Sequence, residues 1–122
     1  MNVGIDIDDV ITTNREFFKE LTQAFKNKHK IFIVTTRSEN ARKLTEDELA
    51  EYGIFYDILY FAPNTPSIEC PTELDWWQKY LWFGKVWYSL QNKIDIFFED
   101  DEKTILLFQK YAPQIQVFQV VK

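Results

Sequence analysis

The chain has one cysteine, Cys70, and one histidine, His29, in 122 residues. A single thiol excludes an internal disulfide and fits a reducing compartment. His29 lies in the polar run KNKHK, away from Cys70 in sequence, so no Cys–His nucleophilic pair is suggested. No apolar stretch approaches the ~20 residues that a bilayer-spanning helix needs. The first residues read directly as a strand, with no basic segment and cleavage site before them. The expectation is a soluble, cytoplasmic protein with no membrane partner. Positive charge is also in deficit: 14 Lys and Arg stand against 19 Asp and Glu, a net charge of -5. That balance excludes duplex nucleic acid as a natural partner, although a metal ion could reverse the local field for a small anion. Repeats and low-complexity segments are absent as well, and the length suits one domain, residues 1–122.

Against these absences stands a regular alternation of apolar strands and amphipathic helices. NVGIDI reads as a first strand, and TNREFFKELTQAFKNK follows with Phe17, Phe18, Leu21, Ala24 and Phe25 at helical spacing. Thr13 and Glu16 form a capping box at its start. KIFIVTTR is a second strand, and TEDELAEYG a short helix with Thr45 and Glu48 as a second capping box and Gly53 at its stop. FYDILYF, KIDIFFEDD and IQVFQVV supply three more strands, with the helix EKTILLFQKYA before the last. Strands separated by helices imply right-handed βαβ units, so the predicted fold is a three-layer α/β domain around a parallel five-stranded sheet.

Three aspartates, Asp6, Asp8 and Asp9, sit together in GIDIDDVIT at the end of the first strand. Two carboxylates about 4 Å apart repel by roughly 4 kcal/mol at an effective dielectric near 20, so gathering them calls for a cation, a proton or an electrophile. Ligands of open parallel sheets bind beyond the carboxyl ends of the strands. Thr35 and Thr36 end the second strand there, and Asp100 and Asp101 the fourth. If the first and fourth strands are neighbours, their carboxylates form an oxygen-rich site suited to Mg²⁺.

DIDDVIT resembles the DxDx(T/V) motif of the haloacid dehalogenase (HAD) superfamily, IFIVTTR its strand ending in Thr or Ser, and DIFFEDD its acidic motif. The order and spacing agree over most of the chain. The resemblance implies a Rossmann-like fold and a Mg²⁺-dependent phosphatase acting on a small phosphate monoester such as a nucleotide. It makes Asp6 the nucleophile that forms an aspartyl-phosphate and Asp8 the proton donor and acceptor. Thr35 would bond a phosphoryl oxygen, and Lys85 would neutralise charge, with Lys79 and Lys93 as competitors. Asp6, the Asp8 backbone carbonyl and Asp100 would hold the metal, with Asp101 a further ligand or a helix-end residue. Glu99 is read evenly as ligand or solvated charge, and Arg37 as a substrate contact or an exposed arginine. Asp9 stands where many relatives have glycine, adding charge near the entrance.

Residues 62–92 form an aromatic-rich loop-helix segment. APNTPSIECPT contains three prolines and must be loop, whereas ELDWWQKYLWFGKVWYSLQ reads as helix with a break at Gly84. Trp76, Trp77, Trp82 and Trp87, with Tyr80, Phe83 and Tyr88, are too many for one helix face. Core packing plus a homodimer contact, or a platform for a base or sugar ring, accounts for them. Neither insertion point of the family leaves room for more than a minimal cap, so the site would be open to a bulky substrate or to closure by another subunit. The rival reading is a catalytically weak or inactive HAD-fold binding or regulatory module whose Trp-rich helix contacts a partner.

Overall fold

A computed structural model describes residues 1–66, 70, 71, 74 and 82–121. Its strands are β1 (Asn2–Ile5), β2 (Lys30–Thr35), β3 (Ile58–Phe61), β4 (Ile96–Glu99) and β5 (Gln116–Gln119), arranged in the order β3-β2-β1-β4-β5. Every pairing is parallel, and Ile5 lies opposite Ile33 on one side and Phe98 on the other. β1 is therefore central, and the expected juxtaposition of the first and fourth strands is present.

Four α-helices among the described residues cover the sheet: α1 (Arg15–Phe25), α2 (Arg42–Glu51), α3 (Trp82–Gln91) and α4 (Glu102–Tyr111). Strand side chains alternate between faces. Val3, Ile5, Ile31 and Ile33 pack with Phe18 of α1 and Leu49 of α2. Phe32, Val34 and Phe97 pack on the other face with Phe83 and Val86 of α3 and Leu107 and Phe108 of α4. Each such buried side chain contributes about 1.5–3 kcal/mol of transfer free energy. The result is the predicted three-layer, Rossmann-like α/β fold. Gly4 of β1 makes it possible, because a Cβ there would lie 2.3 Å from Cδ2 of Phe97.

Both capping boxes are corrected. α1 starts at Arg15 after Asn14, and the Thr13 hydroxyl donates instead to the Asp9 carbonyl at 3.0 Å. α2 starts at Arg42, preceded by a short 3₁₀ turn whose cap is Ser38, so Thr45 and Glu48 lie inside the helix. Local sequence could not show that both threonines have better partners elsewhere. Gly53 does follow the end of α2, at φ +73°.

In α1 the buried stripe runs through Phe18 and Thr22, with Leu21 and Phe25 packed beside it, while Phe17 and Ala24 face outward. Thr22 is held there because its hydroxyl donates to the Phe18 carbonyl and accepts from the Phe55 amide. The predicted break at Gly84 is absent, since α3 runs through it. A Cβ at Gly84 would come within 2.9 Å of the Thr65 hydroxyl, so glycine lets α3 approach the turn after β3.

The described aromatics of α3 pack on the core, with Phe83 buried in it. Phe83 meets Tyr111 edge-on, and Tyr88 stacks on Tyr60 with centroids 3.7 Å apart. Trp82 and Trp87 are half-buried against the same cluster. Trp76, Trp77 and Tyr80, and with them the helix predicted over residues 73–81, lie outside the described residues.

Candidate active site

Asp6 immediately follows β1, and its amide continues the ladder by donating to the Phe98 carbonyl at 3.1 Å. The chain then turns sharply over residues 7–11, closed by the Thr12 amide donating to the Ile7 carbonyl. Buried Ile7, Val10 and Ile11 anchor this turn in the core. Asp9 adopts φ +61° within it. Aspartate is among the few residues besides glycine that enter this region readily, and the Thr12 hydroxyl accepts from the Asp9 amide at 2.9 Å. The turn separates the aspartates: Asp6 is buried, while the Asp8 side chain is 57% exposed.

Lys85 reaches Asp6 from α3. Its Nζ lies 3.1 Å from Asp6 Oδ1 and 2.8 Å from Glu99 Oε2, and all three side chains are buried. The other Glu99 oxygen accepts from the Asp100 and Asp101 amides at 3.0 and 3.3 Å. Burial pushes the Asp6 and Glu99 carboxyls above their ordinary values despite the opposing pull of Lys85. Burial alone would lower Lys85, but the two carboxylates outweigh it and hold the ammonium protonated above the usual lysine range.

Oxygens of Asp6, Glu99 and Asp100 all lie within 4.8 Å of one another, a grouping that could hold a metal ion. The donors fit a hard cation: three carboxylates face one lysine, leaving the cluster short of positive charge, and oxygen ligands are those Mg²⁺ takes. Asp101 is occupied differently. Its Oδ2 accepts from the amide and hydroxyl of Thr104 at 2.9 and 2.8 Å, capping α4.

The exposed Asp8 carboxylate is gripped by Arg37. Nη2 lies 2.8 Å from Oδ1 and Nε 3.1 Å from Oδ2. The same guanidinium donates to both oxygens of Glu48 and to the Thr45 hydroxyl on α2. Tyr52 donates to Glu48 at 3.1 Å, and Arg37 with this bond holds the Glu48 carboxyl below its ordinary value. Thr35 is fully buried at the end of β2, where its hydroxyl accepts from the Arg37 amide at 3.1 Å.

Of the residues singled out in the sequence, the structure brings Asp6, Lys85, Glu99 and Asp100 into one cluster. Asp8 is turned outward onto Arg37, and Thr35 stands at the same end of the sheet. Lys93 is exposed in the turn before β4, at the opposite end, and Lys79 lies outside the described residues. Sequence reasoning did not anticipate that Glu99 anchors Lys85, nor that Thr45, Glu48 and Tyr52 serve Arg37. A lysine inside the apolar run WFGKVW was the available signal, since a buried lysine requires a carboxylate.

No protein-family model matches the chain, and no curated protein matches it. Chains in two solved structures are similar to it, one of the Pnkp1/Rnl/Hen1 complex and one of the Pnkp1/Rnl/Hen1 RNA repair complex. Both superpose with TM-score 0.65 at 16% identity over 98% of this chain. The chain spans 45% and 42% of the lengths of those chains. This likeness extends to the fold, a five-stranded parallel α/β domain.

Proposed function

We propose that the chain is a Mg²⁺-dependent phosphatase of the haloacid dehalogenase type, hydrolysing a phosphate monoester carried by a nucleotide. The observation that carries this reading is the Asp6 carboxylate at the end of the central strand, held 3.1 Å from a buried lysine with the Asp100 and Glu99 oxygens close by. Asp6 attacks phosphorus, so the Asp6–phosphorus bond forms as the ester oxygen leaves. Asp8, which enters this step protonated and released from the Arg37 fork, gives that oxygen its proton and then takes one from the water that cleaves the aspartyl-phosphate, restoring both carboxyls. Lys85 offsets the charge of Asp6 and of the transferring phosphoryl group, and Thr35 bonds a phosphoryl oxygen. Asp6, Asp100 and the Asp8 backbone carbonyl would hold Mg²⁺, which would supply further positive charge when bound. The structural likeness to chains of an RNA repair complex agrees with a nucleotide as carrier of the phosphate.

The test is phosphate release from p-nitrophenyl phosphate and a panel of 3′- and 5′-nucleotides, with Mg²⁺ or EDTA, comparing the wild type with Asp6→Asn. Turnover that needs Mg²⁺ and is lost in Asp6→Asn is expected. Equal background in all samples would refute the reading and favour a binding module on the same fold.

A further inference from the structure

β5 is an edge of the sheet, bonded to β4 on one side only. Its Gln116 amide and the Val120 amide just after it donate inward, to the Asp95 and Glu99 carbonyls. Backbone groups alternate along a strand, so the amides and carbonyls of Val117 and Gln119 point outward, away from β4. Proteins usually blunt such an edge with charge or proline. Here residues 111–121 contain no charged side chain, and their one proline, Pro113, precedes the strand.

Apolar surface flanks the edge on both faces. On one, Phe118 stacks on Phe98 yet stays 41% exposed, and Phe17 of α1 is 55% exposed. These two rings line a groove of about 270 Å³ with Phe18 and Val120. On the other face, Leu106 of α4 is 62% exposed beside Gln119.

We propose that β5 is a self-association edge: it pairs antiparallel with β5 of a second copy about a two-fold axis at Phe118, joining two five-stranded sheets into one of ten. The backbone sets the register. With the axis at Phe118, Val117 of each copy lies opposite Gln119 of the other, and each such pair exchanges two hydrogen bonds through the outward groups. Phe118 then faces its own counterpart as a non-hydrogen-bonded pair, with Cα atoms about 4.5 Å apart and the exposed rings in contact.

Charge selects a second copy as the occupant. The chain carries a net charge of -5, so two copies repel wherever their acidic surfaces meet. An uncharged edge is where that repulsion is least, and a two-fold makes one patch complementary to itself. A strongly acidic or basic partner would find no counter-charge on this strand. β5 supplies no residue of the acidic cluster, so the contact is independent of the phosphatase reading.

Sedimentation equilibrium over a micromolar concentration series should give twice the chain mass for the wild type. Phe118→Lys sets two ammonium groups against each other across the axis. Gln119→Pro removes one outward donor at an exposed position and leaves the Val120 bond to Glu99 in place. Both variants should sediment as monomers, and the second serves if Phe118→Lys disturbs the packing on Phe98. Cross-linking in a Cys70→Ser background reads the register. Phe118→Cys should form an intermolecular disulfide under mild oxidation, because a Cα separation of about 4.5 Å lies within disulfide range. Gln116→Cys, also exposed and on the same face, should not, since the axis keeps the two copies of residue 116 roughly 13 Å apart along the strands.

A wild type that is monomeric at every concentration overturns the inference. So does a dimer that Phe118→Lys and Gln119→Pro both leave intact, since its contact lies elsewhere. Cross-linking through Gln116→Cys but not Phe118→Cys overturns the register, and assemblies that grow beyond two copies overturn the two-fold.

Discussion

Replacing Lys85 with methionine keeps most of the apolar stem and deletes the ammonium that holds Asp6 and Glu99 together. At about 3 Å and an effective dielectric near 20, each of its two ion pairs is worth roughly 5–6 kcal/mol before any cost is counted. Dehydrating three charged groups offsets most of that, and breaking a buried pair by removing one partner typically leaves a net loss of about 3–5 kcal/mol. In Lys85→Met two buried carboxylates face each other with no counter-charge, and their cheapest escape is to bind protons.

This gives the loss a direction with pH. Burial already raises both carboxyls above their ordinary values of 3.8 and 4.5. A carboxyl raised in the folded chain contributes stability that is full below its unfolded value and is lost as pH rises through the folded one. Removing Lys85 takes away the main force opposing that rise, so the deficit of the variant should grow with pH. Urea unfolding in EDTA should show Lys85→Met less stable than wild type by about 3–5 kcal/mol at pH 8. At pH 5 the deficit should be smaller by at least about 1 kcal/mol, the worth of most of one pKa unit. A loss below about 1 kcal/mol at pH 8, or one identical at the two pH values, would refute the ion-pair account.

Gly4→Ala should lose about 3 kcal/mol or more in the same assay, because the new methyl would meet the Phe97 ring at 2.3 Å in a sheet clamped on both sides; a loss under 1 kcal/mol would show that the ring yields. Asp101→Ala should cost about 1 kcal/mol by leaving the Thr104 amide without its cap, and an unchanged urea midpoint would count against that role. Mg²⁺ at 100 times its dissociation constant should stabilise the wild type by about 2.7 kcal/mol, read as a rise in melting temperature. Asp6→Asn and Asp100→Asn should lose most of that rise, and a wild-type midpoint indifferent to Mg²⁺ would argue against the metal site.

The strands and their alternation with helices were legible because a strand covered on both faces is written as an uninterrupted apolar run, as in KIFIVT and DIFF. The strand-end acids were legible for a related reason, since charge directly after such a run has few structural uses. Helix starts were not. Thr13-x-x-Glu16 and Thr45-x-x-Glu48 both fit a local capping pattern, yet other partners claim three of these four side chains: the Asp9 carbonyl takes the Thr13 hydroxyl, and Arg37 takes Thr45 and Glu48. Asp9 follows the same logic. Its positive φ accounts for a position suited to glycine, which composition could not reveal. Lys85 was chosen over Lys93 by spacing alone, and only the packing of α3 shows why a buried lysine is tolerated there.

The central place of β1 carries a kinetic consequence. Val3 pairs with Ile31 on one side and with Ile96 on the other, and the Asn2 amide and carbonyl are both bonded to Asp95. One of these neighbours is close in sequence and the other is most of the chain away, so the second pairing closes a very long loop. Asp6 meets Glu99 and Lys85 only after that closure. Assembly of the acidic cluster is therefore tied to the seam that β1 closes over the longer stretch of chain, and pulse-labelled hydrogen exchange at the Asp6 amide, bonded across it, would report on when the cluster forms during refolding.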